Sequence, residues 1–270
     1  MKKILFTAST GLLLLSASGQ QKQGRVVYER TIQLQMRFVG MGGGDDMERL
    51  LPKQRKDKLE VLFGNDRSLR RTLDDEMPED IMPEGGGGGM QIKMNVAGAN
   101  DISFVNFATG QVVEQREFAA KNYIIADSIH KLSWKLTGET ITILNYPCQK
   151  AVAQRIGKRS TMAMENGQMK KQEVADTSNI VAWFTMSIPV PAGPDYQGQL
   201  PGLILGIDIN DGRTVYRAIE VSDKIDVATI KEPTKGKKVS AEEFAVERDK
   251  MMEDMQRNGG GRGRTMRISN

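Results

Sequence analysis

Between residues 20 and 38 the apolar side chains Val26, Tyr28, Ile32, Leu34, Met36 and Phe38 alternate with Val27, Glu29, Thr31, Gln33, Gln35 and Arg37. Successive side chains of a strand point to opposite faces, so alternation this long predicts an antiparallel strand with one buried face. Arg30 breaks the apolar register and reads as a strand-end or rim residue.

The same period recurs along the chain. Leu59, Val61 and Phe63 precede a Gly64-Asn65-Asp66 turn, with 68–73 returning as a hairpin. Met90, Ile92, Met94 and Val96 alternate again, followed by 102–108, a Thr109-Gly110 turn and 112–118. Leu132, Trp134 and Leu136 share a face, Thr137-Gly138-Glu139 reads as a turn, and Ile141 and Ile143 lie on the returning strand. Residues 145–148 interrupt, and strands follow at 149–156, 180–185, 215–221 and 225–230, giving roughly ten strands or more. Residues 162–178 have no clean period and read as a loop insertion. One helix is marked near the C-terminus: Ser240 and Glu243 form a capping box, Val239 and Phe244 a hydrophobic staple, and Phe244, Met251, Met252 and Met255 an apolar stripe. The expected fold is mainly β, a curved antiparallel sheet or half-barrel with one C-terminal helix and long disordered loops.

A leader comes first. Lys2 and Lys3 precede an apolar run from Ile4 to Leu15, and Ala17-Ser18-Gly19 is a small-x-small site, so residues 1–19 read as a secretory signal peptide. The remainder reads as one β-rich domain over 20–257 with flexible insertions near 40–46, 74–89 and 160–178, then a disordered Gly/Arg-rich tail at 258–270. No later stretch is long and apolar enough for a transmembrane span. Cys148 is the only cysteine, so no intrachain disulfide forms and the core must hold the fold alone. The formal net charge of +4 includes Lys2 and Lys3 and does not point to nucleic acid.

Catalytic chemistry has little to stand on. His130 is the only histidine, and its neighbours Ile129 and Lys131 supply no motif, so a dyad with Cys148 is set against a plain buried thiol. The runs Gly42–Gly44 and Gly85–Gly89 lack the Lys-Ser/Thr of a phosphate cradle. No catalytic residue and no cofactor is expected. The 16 methionines raise soft-metal binding, with Met77, Met82, Met90, Met162 and Met164 as weak candidates beside the default of packing.

The densest cluster of Pro, Gly and aliphatic residues is 188–209, whose backbone course is set residue by residue. Trp134, Cys148, Trp183, Phe184, Pro194, Tyr196, Leu200, Pro201, Gly202 and Leu203 are its candidate residues. They either form the core or line an apolar groove under a shaped flap. Two blocks here, W-K-L-T-G-E-T-I-T-I-L-N-Y-P-C-Q-K-A from Trp134 and A-W-F-T-M-S-I-P from Ala182, the latter followed by Leu200-Pro201-Gly202-Leu203-Ile204, resemble the GLPGLI family of secreted bacterial proteins. Gln199 stands where that signature has its first glycine. The resemblance implies a cell-envelope protein of Gram-negative bacteria, of a kind often encoded near TonB-dependent outer-membrane receptors, and by looser analogy a lipoprotein-carrier-like sheet. The resulting expectation is a non-enzymatic, exported protein, periplasmic or outer-membrane-associated, that binds an apolar ligand, a lipidated partner or an outer-membrane receptor component. The alternative is a structural or accessory subunit of an envelope complex.

Overall fold

The computed structural model describes residues 21–33, 53–74, 101–165 and 168–258. In chain order these form β1 (Gly24–Gln33), β2 (Gln54–Gly64), β3 (Arg67–Asp74), β4 (Ile102–Asn106), β5 (Gln111–Phe118) and β6 (Lys121–Ser128). Then come β7 (Lys135–Ile143), β8 (Tyr146–Glu165), β9 (Gln168–Thr185), β10 (Leu203–Ile209), β11 (Thr214–Ser222), a 3-10 turn (Val227–Thr229), β12 (Lys237–Ser240) and the helix α1 (Ala241–Asn258). The strands make one open sheet in the order β12-β6-β5-β4-β3-β2-β1-β11-β10-β9-β8-β7, antiparallel except where β12 runs parallel to β6.

Short turns explain the hairpin order. Asn65 and Asp66 both have positive φ, as do Leu144 and Asn145, the two-residue geometry whose twist matches that of paired strands. The Leu144–Asn145 turn corrects the interruption expected at 145–148, because Tyr146 and Pro147 already pair with Ile143 and Thr142. Thr137-Gly138-Glu139 is a bulge within β7, where the register shifts between Leu136 and Thr140, and not a turn between two strands. Residues 162–178 likewise continue β8 and β9: the ladder runs from Gln154 with Asn179 to Glu165 with Gln168, beyond the reach of β7 and β10. The insertion expected near 160–178 is thus a two-stranded arm. The segment 40–46, the candidates Met77, Met82 and Met90, and the tail from 259 lie outside the described residues, as does 75–89.

The sheet must curl. β6 is second and β7 twelfth in strand order, a separation of about 48 Å in a flat sheet. The link 129–134 joins them and reaches at most about 25 Å. Only a strongly curved sheet brings the two ends within that span, which agrees with the curved sheet expected from sequence. The link crosses the face that carries Tyr28 and Val61, which is therefore the inside of the curve.

Two cores lie on opposite faces. On the inner face Val26, Tyr28, Leu59, Val61, Phe63, Ala151, Ile180, Ala182, Ile207 and Tyr216 pack beneath the segment between β9 and β10. On the outer face Leu62, Leu69, Phe104, Val113 and Ile124 are closed by Ile225 and Ile230 from the link between β11 and β12. The capping box forms as expected, with Glu243 N–H donating to Ser240 Oγ at 3.1 Å and Ser240 N–H to Glu243 Oε2 at 2.8 Å. Val239 and Phe244 then bury together against Tyr123 and Ile125, with the Phe244 ring edge-on to Tyr123 at 5.2 Å. Met251 packs on this cluster.

Candidate functional site

The segment between β9 and β10 lies over the inner face as an irregular cover. Pro189, Pro191, Pro194 and Pro201 cannot donate backbone hydrogen bonds, so the cover uses close internal ones instead. Val190 N–H donates to Ile188 O, Ala192 N–H to Val190 O, and Gly198 N–H to Pro191 O. Leu203 N–H and Ile204 N–H then reach back to Ile188 O and Ala192 O at 3.0 and 2.9 Å, stitching the cover to the start of β10. Two glycines resist substitution, Gly202 by a clash with backbone and Gly198 by its left-handed φ. A Cβ on Gly202 would lie 2.1 Å from Thr185 O, and one on Gly198, at φ +77°, 2.4 Å from Ile129 Cδ1.

Side chains beneath fasten the cover to the sheet. Tyr28 is fully buried and its hydroxyl donates at 2.6 Å to Ile204 O of β10, whose own N–H holds Ala192 O of the cover, across the small Ala218 that pairs with Tyr28. The register of β9 with β10 shifts at Ile204/Gly206, and this bulge takes that carbonyl out of the regular ladder. Arg70 Nη1 donates to Pro194 O at 2.8 Å, and Ser68 Oγ bonds to Gln197 Oε1. Gln199 Oε1 accepts from Leu132 N–H and Trp134 Nε1–H, tying the β6–β7 link to the cover.

Ile188, Val190, Ala192, Tyr196 and Leu200 of the cover are all buried, Ala192 completely. At about 1.5–3 kcal/mol for each large aliphatic side chain, Ile188, Val190 and Leu200 alone hold the segment down by several kcal/mol. An opened state is correspondingly rare. The candidate residues therefore sit as follows: Cys148, Phe184, Pro194, Tyr196, Leu200, Gly202 and Leu203 are buried, Trp134 and Trp183 half-buried, and Pro201 exposed. Cys148, Phe184, Tyr196, Leu200 and Leu203 belong to the buried inner core, Trp134 and Trp183 pack against it, and Trp134 meets Tyr196 edge-on at 5.7 Å.

Beside this core runs a buried polar row that the sequence reading missed. Arg30 lies mid-strand on the inner face, opposite Asp57 in β2 and Tyr216 in β11, which corrects its placement at a strand end. Its guanidinium pairs two-pronged with Asp57 at 2.8 and 2.6 Å, and Arg55 adds a third contact at 3.1 Å. Burial would lower the Arg30 pKa, but the hydrogen bonds and charge of Asp57, with Tyr216, raise it instead. Asp57 needs this, because its side chain is only 1% exposed. The signal lay in the strict alternation: an arginine in an apolar register is a candidate for a paired buried charge.

No arrangement for nucleophilic catalysis assembles among the described residues. Cys148 is fully buried, and burial pushes its thiol pKa up, away from the reactive thiolate. His130 is exposed and bonds to Asp127 Oδ1 at 2.9 Å. Among the described residues no group of three or more His, Cys, Asp or Glu side chains could hold a metal. Met162 and Met164 lie on the arm, Met164 in register with Met169, and their side chains lie outside the described ones. A depression on the outer face, lined mostly by polar residues such as Glu29, Thr31, Lys56 and Arg217 together with Val215, contains a Lys56–Glu29 ion pair. No described helix is long and apolar enough to cross a membrane.

Fold and site together define a curved, open β-sheet protein whose inner face is closed by its own chain. Residues 134–206 match the model of a family described as "Protein of unknown function (Porph_ging)". The match spans β7 to the first part of β10, the same stretch that carries the GLPGLI resemblance. No curated protein matches the chain significantly. Among solved structures, PNGF-II in a C2 crystal form is similar at 16% identity and a TM-score of 0.49, over 83% of this chain and 32% of that one. A second crystal form of PNGF-II gives 15% identity and 0.49, over 85% and 34%. The chain thus spans about a third of the length of the structures it matches.

Proposed function

We propose that this chain is an exported, non-enzymatic accessory subunit of a cell-envelope assembly, working through its surfaces and not through an internal ligand site. The observation that carries this reading is the filled inner face: the space an apolar ligand would take is occupied by Ile188, Val190, Tyr196 and Leu200. Export rests on the leader at residues 1–19, and the non-enzymatic reading on the separation of buried Cys148 from exposed His130.

The surface favoured for the partner is the β7 edge. Its residues are exposed almost throughout, and Leu136 and Ile141 are 58% and 41% exposed. The Gly138 bulge blunts its first half against strand addition, whereas Thr140–Ile143 offers regular, β-branched edge backbone. Strand addition by an envelope partner protein matches these features.

Native mass spectrometry of the protein isolated from its own envelope tests this. A stoichiometric complex free of extractable lipid, lost in an Ile141→Lys variant that still folds, is the expected result. A monomer that carries lipid overturns the reading in favour of an apolar-ligand carrier.

A further inference from the structure

The turn between β7 and β8 decides which backbone groups the free edge of β7 offers. Leu144 and Asn145 both have positive φ, and Ile143 pairs with Tyr146 across them. In such a two-residue hairpin the flanking pair exchanges both backbone hydrogen bonds, and pairs further along alternate between bonded and non-bonded. Ile143–Tyr146 and Ile141–Cys148 are therefore bonded pairs, whereas Thr142–Pro147 and Thr140–Gln149 are not. Pro147 fits this parity, since it has no N–H to give to β7. The N–H and C=O groups of Thr140 and Thr142 thus point away from β8, and β7 is the last strand of the described sheet.

These four groups are symmetric about Ile141. A second β7 laid antiparallel, with a two-fold axis at Ile141, sets Thr140 of each copy opposite Thr142 of the other, and each such pair exchanges two hydrogen bonds. The same four groups on each copy then satisfy one another. Ile141 meets its own counterpart across the axis as a non-bonded pair, the position where facing side chains come closest, and it is 41% exposed and free to do so. Moving the axis to Thr140 brings Gly138 of the bulge against Thr142, and moving it to Thr142 brings the turn at Leu144 against Thr140, so neither completes the set. Residues 140–143 carry no charge and no proline, so no like charges meet across the axis. The opposite edge of the sheet differs: β12 is four residues long with Lys237 and Lys238 exposed, which resists pairing.

We propose that a second copy of this chain occupies Thr140–Thr142, in a two-fold antiparallel pairing centred on Ile141. An isologous contact closes on itself, so it caps the edge without growing into a filament. Pairing over so few residues buries less than the area of stable dimers, about 1,200 Å², so the dimer is weak and yields the edge to an envelope partner. This inference rests on the reading of β7 as a strand-accepting edge and names the occupant when that partner is absent.

Cysteine capture tests the register. A Cys148→Ala background is needed because Cys148 pairs with Ile141 within the chain. In it, Ile141→Cys brings two thiols together across the axis at about 4.5 Å between Cα atoms, within disulfide reach. Thr140→Cys lies diagonal to its own counterpart at about 7–8 Å, beyond that reach. With diamide as oxidant, Ile141→Cys should form a disulfide dimer at least about tenfold faster than Thr140→Cys, and mixing Thr140→Cys with Thr142→Cys should give a mixed dimer. Sedimentation velocity of the unsubstituted protein should show a dimer fraction that grows from micromolar to millimolar concentration and is lost in Ile141→Lys, a readout that needs no altered cysteine. Equal capture of Ile141→Cys and Thr140→Cys, or a monomer at every concentration, overturns the inference. Should a native complex with another envelope protein still be lost in Ile141→Lys under that outcome, the second copy is excluded and the strand-accepting edge stands.

Discussion

The indole N–H of Trp134 and the backbone N–H of Leu132 both donate to the side-chain oxygen of Gln199, at 3.0 and 2.9 Å. Gln199 is the residue that replaces the first glycine of the signature it resembles, and the replacement is used as a clamp between the β6–β7 link and the cover. Gln199→Gly restores the signature at that position and leaves two donors without an acceptor. It should therefore destabilise the protein by about 2 kcal/mol, measured by urea denaturation. An unchanged midpoint would mean that the clamp contributes nothing.

The cover's backbone tolerates no side chain at Gly202, where an added Cβ meets Thr185 O, which is backbone and cannot swing away. Gly202→Ala should cost more than about 3 kcal/mol or prevent folding. Gly110→Ala, at φ +72° with open space around it, should cost only about 1 kcal/mol. Thermal melting of the two variants side by side checks the difference.

Asp57 holds Arg30 and Arg55. Removing it alone strands buried positive charge, so Asp57→Ala should cost about 3–5 kcal/mol. The double variant Asp57→Leu/Arg30→Met replaces the pair by apolar volume and should recover most of that loss. Chemical denaturation of the single and double variants gives the comparison. A double variant as unstable as the single would show that the pair's charge is needed for the fold.

On the outer face, burial would raise the Glu60 pKa, but hydrogen bonds from Arg25 and Arg71, at 2.5 and 2.6 Å, hold it below the ordinary glutamate value. A carboxylate lowered on folding adds stability above its unfolded pKa and loses it as pH falls through the folded one. Stability should therefore fall as the medium is acidified below the ordinary glutamate range, and Glu60→Gln should flatten that fall. Denaturation midpoints across acidic pH for both proteins decide the matter. Asp101 has the opposite sign, since burial raises its pKa, so Asp101→Asn should not destabilise at neutral pH.

The strands were legible because alternation is a local signal: Val26, Tyr28, Leu59, Val61 and Phe63 occupy the inner face as their spacing predicts. The capping box at Ser240 was legible for the same reason. What escaped depended on partners distant in sequence. Arg30 departs from the apolar register because Asp57 and Tyr216 lie beside it, and residues 162–178, without a clean apolar period, are held by backbone pairing of β8 with β9, which needs none. The bulge at Gly138 and the turn at Leu144–Asn145 were exchanged, since glycine is the stronger local turn signal and the hairpin is set by β8 pairing back on β7. Whether the proline–glycine segment closed a core or covered a groove depended on how far the sheet curls, which the short 129–134 link determines.

The central claim is that the cover belongs to the core. Hydrogen exchange at the Leu203 and Ile204 amides, which donate to Ile188 O and Ala192 O of the cover, tests it most directly. The account predicts that both exchange only through global unfolding, as slowly as the slowest amides of β1 and β2. Exchange through a local opening, much faster than that of β1 and β2, would show that the segment lifts as a flap and would contradict the account.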